Sequence, residues 1–186
     1  MQKPPGYVNQ ETFPLPKLHE RLRDISRELH FGRGFVVLRG LPVDDHTREE
    51  NVLIYAGVSS HIGPSRGRQD TSFNGKPADV VMAHIKNLSN TADKARIGAP
   101  AYTTDKQVFH TDSGNIVSLF ALSTAAEGGQ SKLASSWRVY NELAETRPDL
   151  IRTLAEPWVG DTYVSPFPGS LSHLMEILPS PEQITK

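Results

Sequence analysis

The stretch Gln107-Val108-Phe109-His110-Thr111-Asp112-Ser113-Gly114, followed by Ile116-Val117-Ser118-Leu119-Phe120-Ala121-Leu122, decides how this chain is read. On an extended strand successive side chains point to opposite faces, so residues two apart share a face. His110 and Asp112 therefore place an imidazole and a carboxylate on one side of a short segment. The apolar run behind them reads as a buried strand. Two such groups can converge on a single ion.

With a second histidine the pair would make the 2-His-1-carboxylate facial triad of non-haem Fe(II) sites, which leaves coordination positions open. The spacing alone is weak evidence. With seven histidines in the chain and average aspartate usage, chance supplies a His-x-Asp about 0.4 times. A polar turn in which Asp112 bonds nearby amides is the plain competitor.

Composition narrows the field. At 186 residues the chain suits one domain with a sizeable core. Basic and acidic residues balance, 20 against 21, which recommends neither nucleic acid nor an anionic membrane as a partner. Cysteine is absent, so disulfides and thiolate metal sites are excluded and His, Asp and Glu remain as ligands. The opening Met1-Gln2-Lys3-Pro4-Pro5-Gly6 lacks the apolar core of a signal peptide, and no apolar run is long enough to span a membrane. The expectation is a soluble cytoplasmic protein acting on a small-molecule substrate.

Working outward, residues 1–17 read as an extended, proline-rich lead-in. Leu18, Leu22, Ile25 and Leu29 fall at helical spacing, and Gly32 and Gly34 stop that helix. Phe35 to Arg39 is a strand candidate closed by Gly40-Leu41-Pro42. Thr47 and Glu50 form a capping box for a second helix anchored by Val52, Leu53 and Ala56, which Gly63-Pro64 ends. Residues 64–78 read as a polar loop, Asp79 to Ile85 as a strand, and 86–104 as a long connection of the kind that covers a site. After the strand at 116–122, Glu127-Gly128-Gly129-Gln130-Ser131 is a turn. Trp137 to Glu145 predicts a short helix, and Pro148 opens another through Ala155. From Glu156 onward only Leu174 to Leu178 forms an apolar stretch.

Three of these pieces match a known pattern. Gly34-Phe35-Val36-Val37-Leu38-Arg39-Gly40, Phe109-His110-Thr111-Asp112 and Glu127-Gly128-Gly129-Gln130-Ser131, in that order, resemble the TauD/TfdA family of Fe(II)- and 2-oxoglutarate-dependent dioxygenases, in particular fungal TauD-like proteins. The resemblance covers roughly residues 18–160. It implies a mainly β fold with flanking helices, a double-stranded β-helix or jelly roll. It also implies iron ligation by His110 and Asp112, and contact of Ser131 with the distal carboxylate of 2-oxoglutarate. The implied reaction hydroxylates a small organic substrate and releases succinate and CO2. A serine after two glycines is equally an ordinary turn residue. Asp105, Lys106, His84, Arg66 and Arg68 are further pocket candidates, each with the competing reading of a solvated or packed polar residue.

The pattern is incomplete. The family requires a second iron-binding histidine far beyond the aspartate and then an arginine for 2-oxoglutarate. His173 is the one histidine after Asp112, and no arginine follows Arg152. His173 lacks the surrounding motif. Residues 161–186 read as a divergent tail, and the jelly roll is expected to be incomplete, with the chain truncated relative to its family. Two ligands without the rest bind Fe(II) weakly, so a non-catalytic remnant serving as an interaction module is the alternative. A zinc hydrolase would need a further ligand and a base that the loops do not supply. Missing strands would leave edges that pair with other chains, so self-association is expected.

Overall fold

A computed structural model of the chain describes residues 5–73, 76–90, 100–112 and 114–157. They form two compact units, one of residues 1–84 with 111–129 and one of 85–110 with 130–186. In the first, helix α1 (His19–Phe31) packs on helix α2 (Arg48–Ile62). Strands β1 (Asp70–Phe73) and β2 (Lys76–Val80) follow as an antiparallel pair. The second unit carries helices α3 (Ser136–Thr146) and α4 (Pro148–Leu154). No helix among the described residues is long and apolar enough to cross a membrane.

Helix α2 begins and ends where local chemistry dictates. The Thr47 hydroxyl accepts from the Glu50 amide at 3.2 Å, and the Glu50 carboxylate accepts from the Thr47 amide at 2.8 Å. Two of the helix's orphan donors are thereby satisfied. Asn51 secures the same end, its Nδ2 donating to the carbonyls of Val43, His46 and Thr47. Gly63 caps the other end. There Arg23 of α1 donates to the carbonyls of His61 and Ile62 at 3.3 and 3.1 Å, using charge to satisfy the last turn.

The junction between α1 and α2 turns on a pair of histidines. His61 is buried, and its Nε2 lies 2.9 Å from the Phe13 carbonyl oxygen. A carbonyl only accepts, so Nε2 carries the proton and the Nδ1 of the neutral ring accepts. The Nδ1 of His19, 2.9 Å away, is then the donor. Phe13 also lays its ring against Gly57, and Gln10 donates to the Ser60 carbonyl at 2.9 Å. The lead-in is therefore not simply extended. A 3-10 turn at Pro5–Tyr7 and an Asn9 side chain bonded to the amides of Glu11 and Thr12 fold it onto α2.

The β content departs from expectation. Residues 35–39, 81–85 and 116–122 are outside any strand, and the only ladder among the described residues is β1 with β2. That ladder falls partly within the span read as a polar loop. A strand exists only where a neighbour takes its backbone N–H and C=O groups. Among the described residues, 35–39 has no such neighbour, and Gly34 and Gly40, at φ 80° and 93°, turn the chain at both ends of it. The described residues thus do not form a jelly roll. Among the described residues the buried apolar side chains are few, Leu22 and Ala56.

In the second unit Ser135 caps α3 by accepting from the Arg138 amide at 3.3 Å, and Pro148 opens α4. Arg147 grips Asp149 through two nitrogens, at 3.0 and 2.8 Å. That contact holds the Asp149 carboxyl below its ordinary range. Trp137 meets Tyr140 edge-on along α3.

Glu50 is held below the usual carboxylate range, first by the Thr47 amide and then by its hydroxyl. A depressed folded value stabilises above the unfolded carboxylate range near about 4.3 and is lost as pH falls through the folded value. Urea melts followed by circular dichroism should show a larger loss between pH 6 and pH 3 for the native chain than for Glu50→Gln. Thr47→Ala should cost about 1 kcal/mol. In the same melts Gly57→Ala should cost about 1–3 kcal/mol, because a Cβ there overlaps the Phe13 ring.

Candidate metal centre

Residues 107–112 lie outside any helix or strand, so the strand expected to align His110 with Asp112 is not formed there. Val108, Phe109, His110 and Asp112 are all exposed. The segment instead folds the imidazole back on its own backbone, with His110 Nδ1 2.8 Å from the Val108 carbonyl oxygen. Because the carbonyl only accepts, Nδ1 holds the proton and the lone pair of the neutral ring resides on Nε2. Metal-binding histidines commonly have such a partner, which fixes the tautomer and the ring orientation.

The boundary between the two compact units falls between His110 and Thr111. His110 is described with the second unit and Asp112 with the first. In the first unit Gly128 and Gly129 both adopt left-handed backbone, φ 71° and 69°, which bends the chain sharply where only glycine does so without strain. A side chain at Gly129 would further press on Ala125, whose Cβ lies 3.1 Å from the position it would take. Ser131, in the second unit, is exposed.

Imidazole and carboxylate suit Fe(II) chemically. Among the described residues no group of three His, Asp or Glu side chains gathers to hold an ion. His173 and the apolar stretch Leu174 to Leu178 lie outside the described residues.

Of the remaining candidates, Arg66 and Arg68 make contacts within the first unit and three are exposed. Arg66 donates to the carbonyls of Val8 and, at 3.3 Å, Ala56, tying the lead-in to α2. Arg68 pairs with Asp79 at 2.9 Å beside the β ladder. His84, Asp105 and Lys106 are exposed. The part-buried histidine pair of the first unit, His19 with His61, was not marked by any sequence pattern. Its one signal is a histidine two residues before the glycine that ends a helix.

Comparison with known proteins identifies the ancestry. The family model described as taurine catabolism dioxygenase TauD, TfdA family matches residues 2–182. The chain is 40% identical over 176 residues to the taurine hydroxylase-like protein SAT17 of Stachybotrys chartarum, a match over 92% of this chain and 44% of that protein. It is 26% identical over 145 residues to FR-33289 synthase of Streptomyces rubellomurinus, over 77% of this chain and 40% of that protein. No solved structure matches it. The chain thus spans less than half the length of these curated relatives. With the family model running over nearly all of its residues, the chain belongs to the TauD/TfdA dioxygenase family.

Proposed function

We propose that this chain carries part of the site of an Fe(II)- and 2-oxoglutarate-dependent dioxygenase, with His110 and Asp112 as iron ligands and Ser131 beside the distal carboxylate of 2-oxoglutarate. The whole protein, on this reading, has a jelly roll with flanking helices. It acts in the cytoplasm, hydroxylating a small organic substrate and releasing succinate and CO2. Residues 1–17 are its lead-in, 18–160 part of the catalytic domain and 161–186 a divergent tail. The observation that carries the proposal is the family match over residues 2–182, which contains His110-Thr111-Asp112.

The roles follow from the side chains. His110 offers its Nε2 lone pair while the Val108 carbonyl keeps the proton on Nδ1. Asp112 offers a hard oxygen donor whose negative charge offsets part of the metal's. A Ser131 hydroxyl donating to a carboxylate makes a charge-assisted hydrogen bond, the stronger kind. Bound iron with 2-oxoglutarate supplies oxidative decarboxylation and the activation of O2.

A second reading, a non-catalytic interaction module, is favoured by the absence of a three-donor group among the described residues. Succinate formation under Fe(II), 2-oxoglutarate and O2 separates the two. The enzyme reading expects turnover that falls by more than about 100-fold in His110→Ala and Asp112→Ala, beyond the 10–100-fold typical of outer-shell changes. No Fe(II) binding and no succinate would give the second reading. Independently, long-range 15N–1H spectra of the neutral metal-free chain should show His110 as the Nδ1–H tautomer, and the Nε2–H form would remove the Val108 carbonyl from the account.

A further inference from the structure

His61 closes a short loop of the chain. Its Nε2 donates to the Phe13 carbonyl at 2.9 Å, and its Nδ1 lies 2.9 Å from Nδ1 of His19. One buried ring thus ties both ends of residues 13–19 to the last turn of α2. Between those ends stand Pro14 and Pro16, which donate no backbone hydrogen bond. The amides of Leu18 and His19 both turn to the Leu15 carbonyl.

The two histidines meet head-on. Their ring centroids are 5.2 Å apart, which is the 2.9 Å gap plus one imidazole radius on each side. Both nitrogens therefore lie on the line joining the centroids, each with its in-plane bond or lone pair aimed at the other. A cation shared by the two would stand about 2.0–2.1 Å from each nitrogen, well off that line, and neither lone pair points there. A gap of 2.9 Å suits one hydrogen. It excludes two.

That limit sets how many protons the pair carries. In the neutral pair one hydrogen fills the gap and another sits on His61 Nε2, held by the Phe13 carbonyl. The first added proton goes to Nε2 of His19, which has no partner among the described residues. Imidazolium then faces imidazole in a charge-assisted bond, the stronger kind. A second added proton has only the gap left, where two N–H groups would oppose each other. Nothing around the pair offsets that charge. Arg23 of α1 already places a guanidinium on the His61 carbonyl, at 3.3 Å. Glu11 and Lys17 of the lead-in are exposed. Segment 116–120, which rests on α2 at Tyr55, Ser59 and Gly63, carries no charge. Among the described residues neither ring pairs with a carboxylate.

We propose that His19 and His61 form a proton-limited latch, in which the junction of α1 with α2 holds with one added proton and opens with a second. His61 is 2% exposed and fixed on two sides, whereas His19 is half-buried at the first residue of α1. His19 is therefore the ring that leaves. Opening frees residues 14–18 and the first turn of α1, while α2 keeps its capped ends. The latch does not depend on the enzymatic reading.

In an unfolded chain both histidines take a proton as pH falls through about 6.5. The closed latch takes one. The folded state then binds one proton fewer, so the unfolding constant rises toward tenfold per pH unit below that range. His19→Asn keeps an amide donor in place of Nδ1–H and, once His61 is protonated, can turn its carbonyl oxygen to it. That junction binds as many protons folded as unfolded. In urea melts the unfolding constant of the native chain should rise about five- to tenfold more than that of H19N between pH 6 and pH 5. Exposed His84→Asn should behave as the native chain does. Two further measurements need no variant. Amide-exchange protection at Leu18, His19 and Leu22 should fall over the same range, while that of Asn51 in α2 persists. A 15N-labelled chain at pH 7 should show coupling between the two Nδ1 atoms across the shared hydrogen. Equal pH dependence in the native chain and H19N, unchanged protection in α1, or Nδ1 atoms with no shared hydrogen would each overturn the proposal. So would equimolar Zn(II) displacing that hydrogen, which would make the pair a metal chelate instead.

Discussion

Four residues of an α-helix advance almost as far as two residues of an extended chain, and α2 exploits this near-equality along its length. Positions 55, 59 and 63 meet Phe120, Ser118 and Ile116 in step. Other positions of the same helix hold other segments. Gly57 leaves space for the Phe13 ring, and the Ser60 carbonyl receives Gln10. His61 joins the lead-in to α1 through its two ring nitrogens. If α2 frays, the register of everything attached to it is lost. That is why its ends are so fully capped, by Thr47 and Glu50 at the start and Arg23 at the finish.

The way these segments are held is mostly polar. Among the described residues Leu22 and Ala56 are the buried apolar side chains, while Ser26, Asn51, Ser60 and His61 are buried and polar. No buried side-chain nitrogen or oxygen among the described residues lacks a partner. Hydrogen bonds of this kind contribute modestly to net stability but cost heavily if one partner is removed. They define position better than they stabilise. Burial of large apolar groups, which supplies most folding free energy, is sparse in the described residues, where Phe31, Val37, Leu119, Leu133 and Trp137 stand exposed. A surface of this sort is available for contact with other polypeptide.

Helices were legible from sequence because their determinants are local. The spacing of Leu18, Leu22, Ile25 and Leu29, the Thr47–Glu50 capping box, Gly63, and Pro148 at a first helical turn each lie within a few residues of what they control. Strands were not legible for the opposite reason. Phe35 to Arg39 and Ile116 to Leu122 have the composition of strands, but a strand is completed by a neighbour that the sequence of the segment does not specify. The residues in β1 and β2 looked like loop because Asp70, Lys76 and Pro77 are disfavoured in strands. The available cue was Asn74-Gly75 between them, the dipeptide favoured between paired strands. The His19–His61 contact joins residues 42 apart in sequence, and no short pattern encodes it.

The candidate centre divides along the same line between local and distant determinants. The tautomer of His110 is set by a carbonyl two residues upstream, so one donor's readiness to bind a cation is written into the segment itself. Family ancestry, read from motifs and matched over residues 2–182, is also carried in linear order. Convergence is different. A facial triad requires a third donor brought from elsewhere in the fold, and a carboxylate co-substrate requires a fixed cation or hydroxyl at the right depth. Those depend on the same long-range pairing that the strands need. In this architecture, completing the sheet and completing the metal site are one problem, because the neighbour that pairs an edge also fixes where the remaining side chains point.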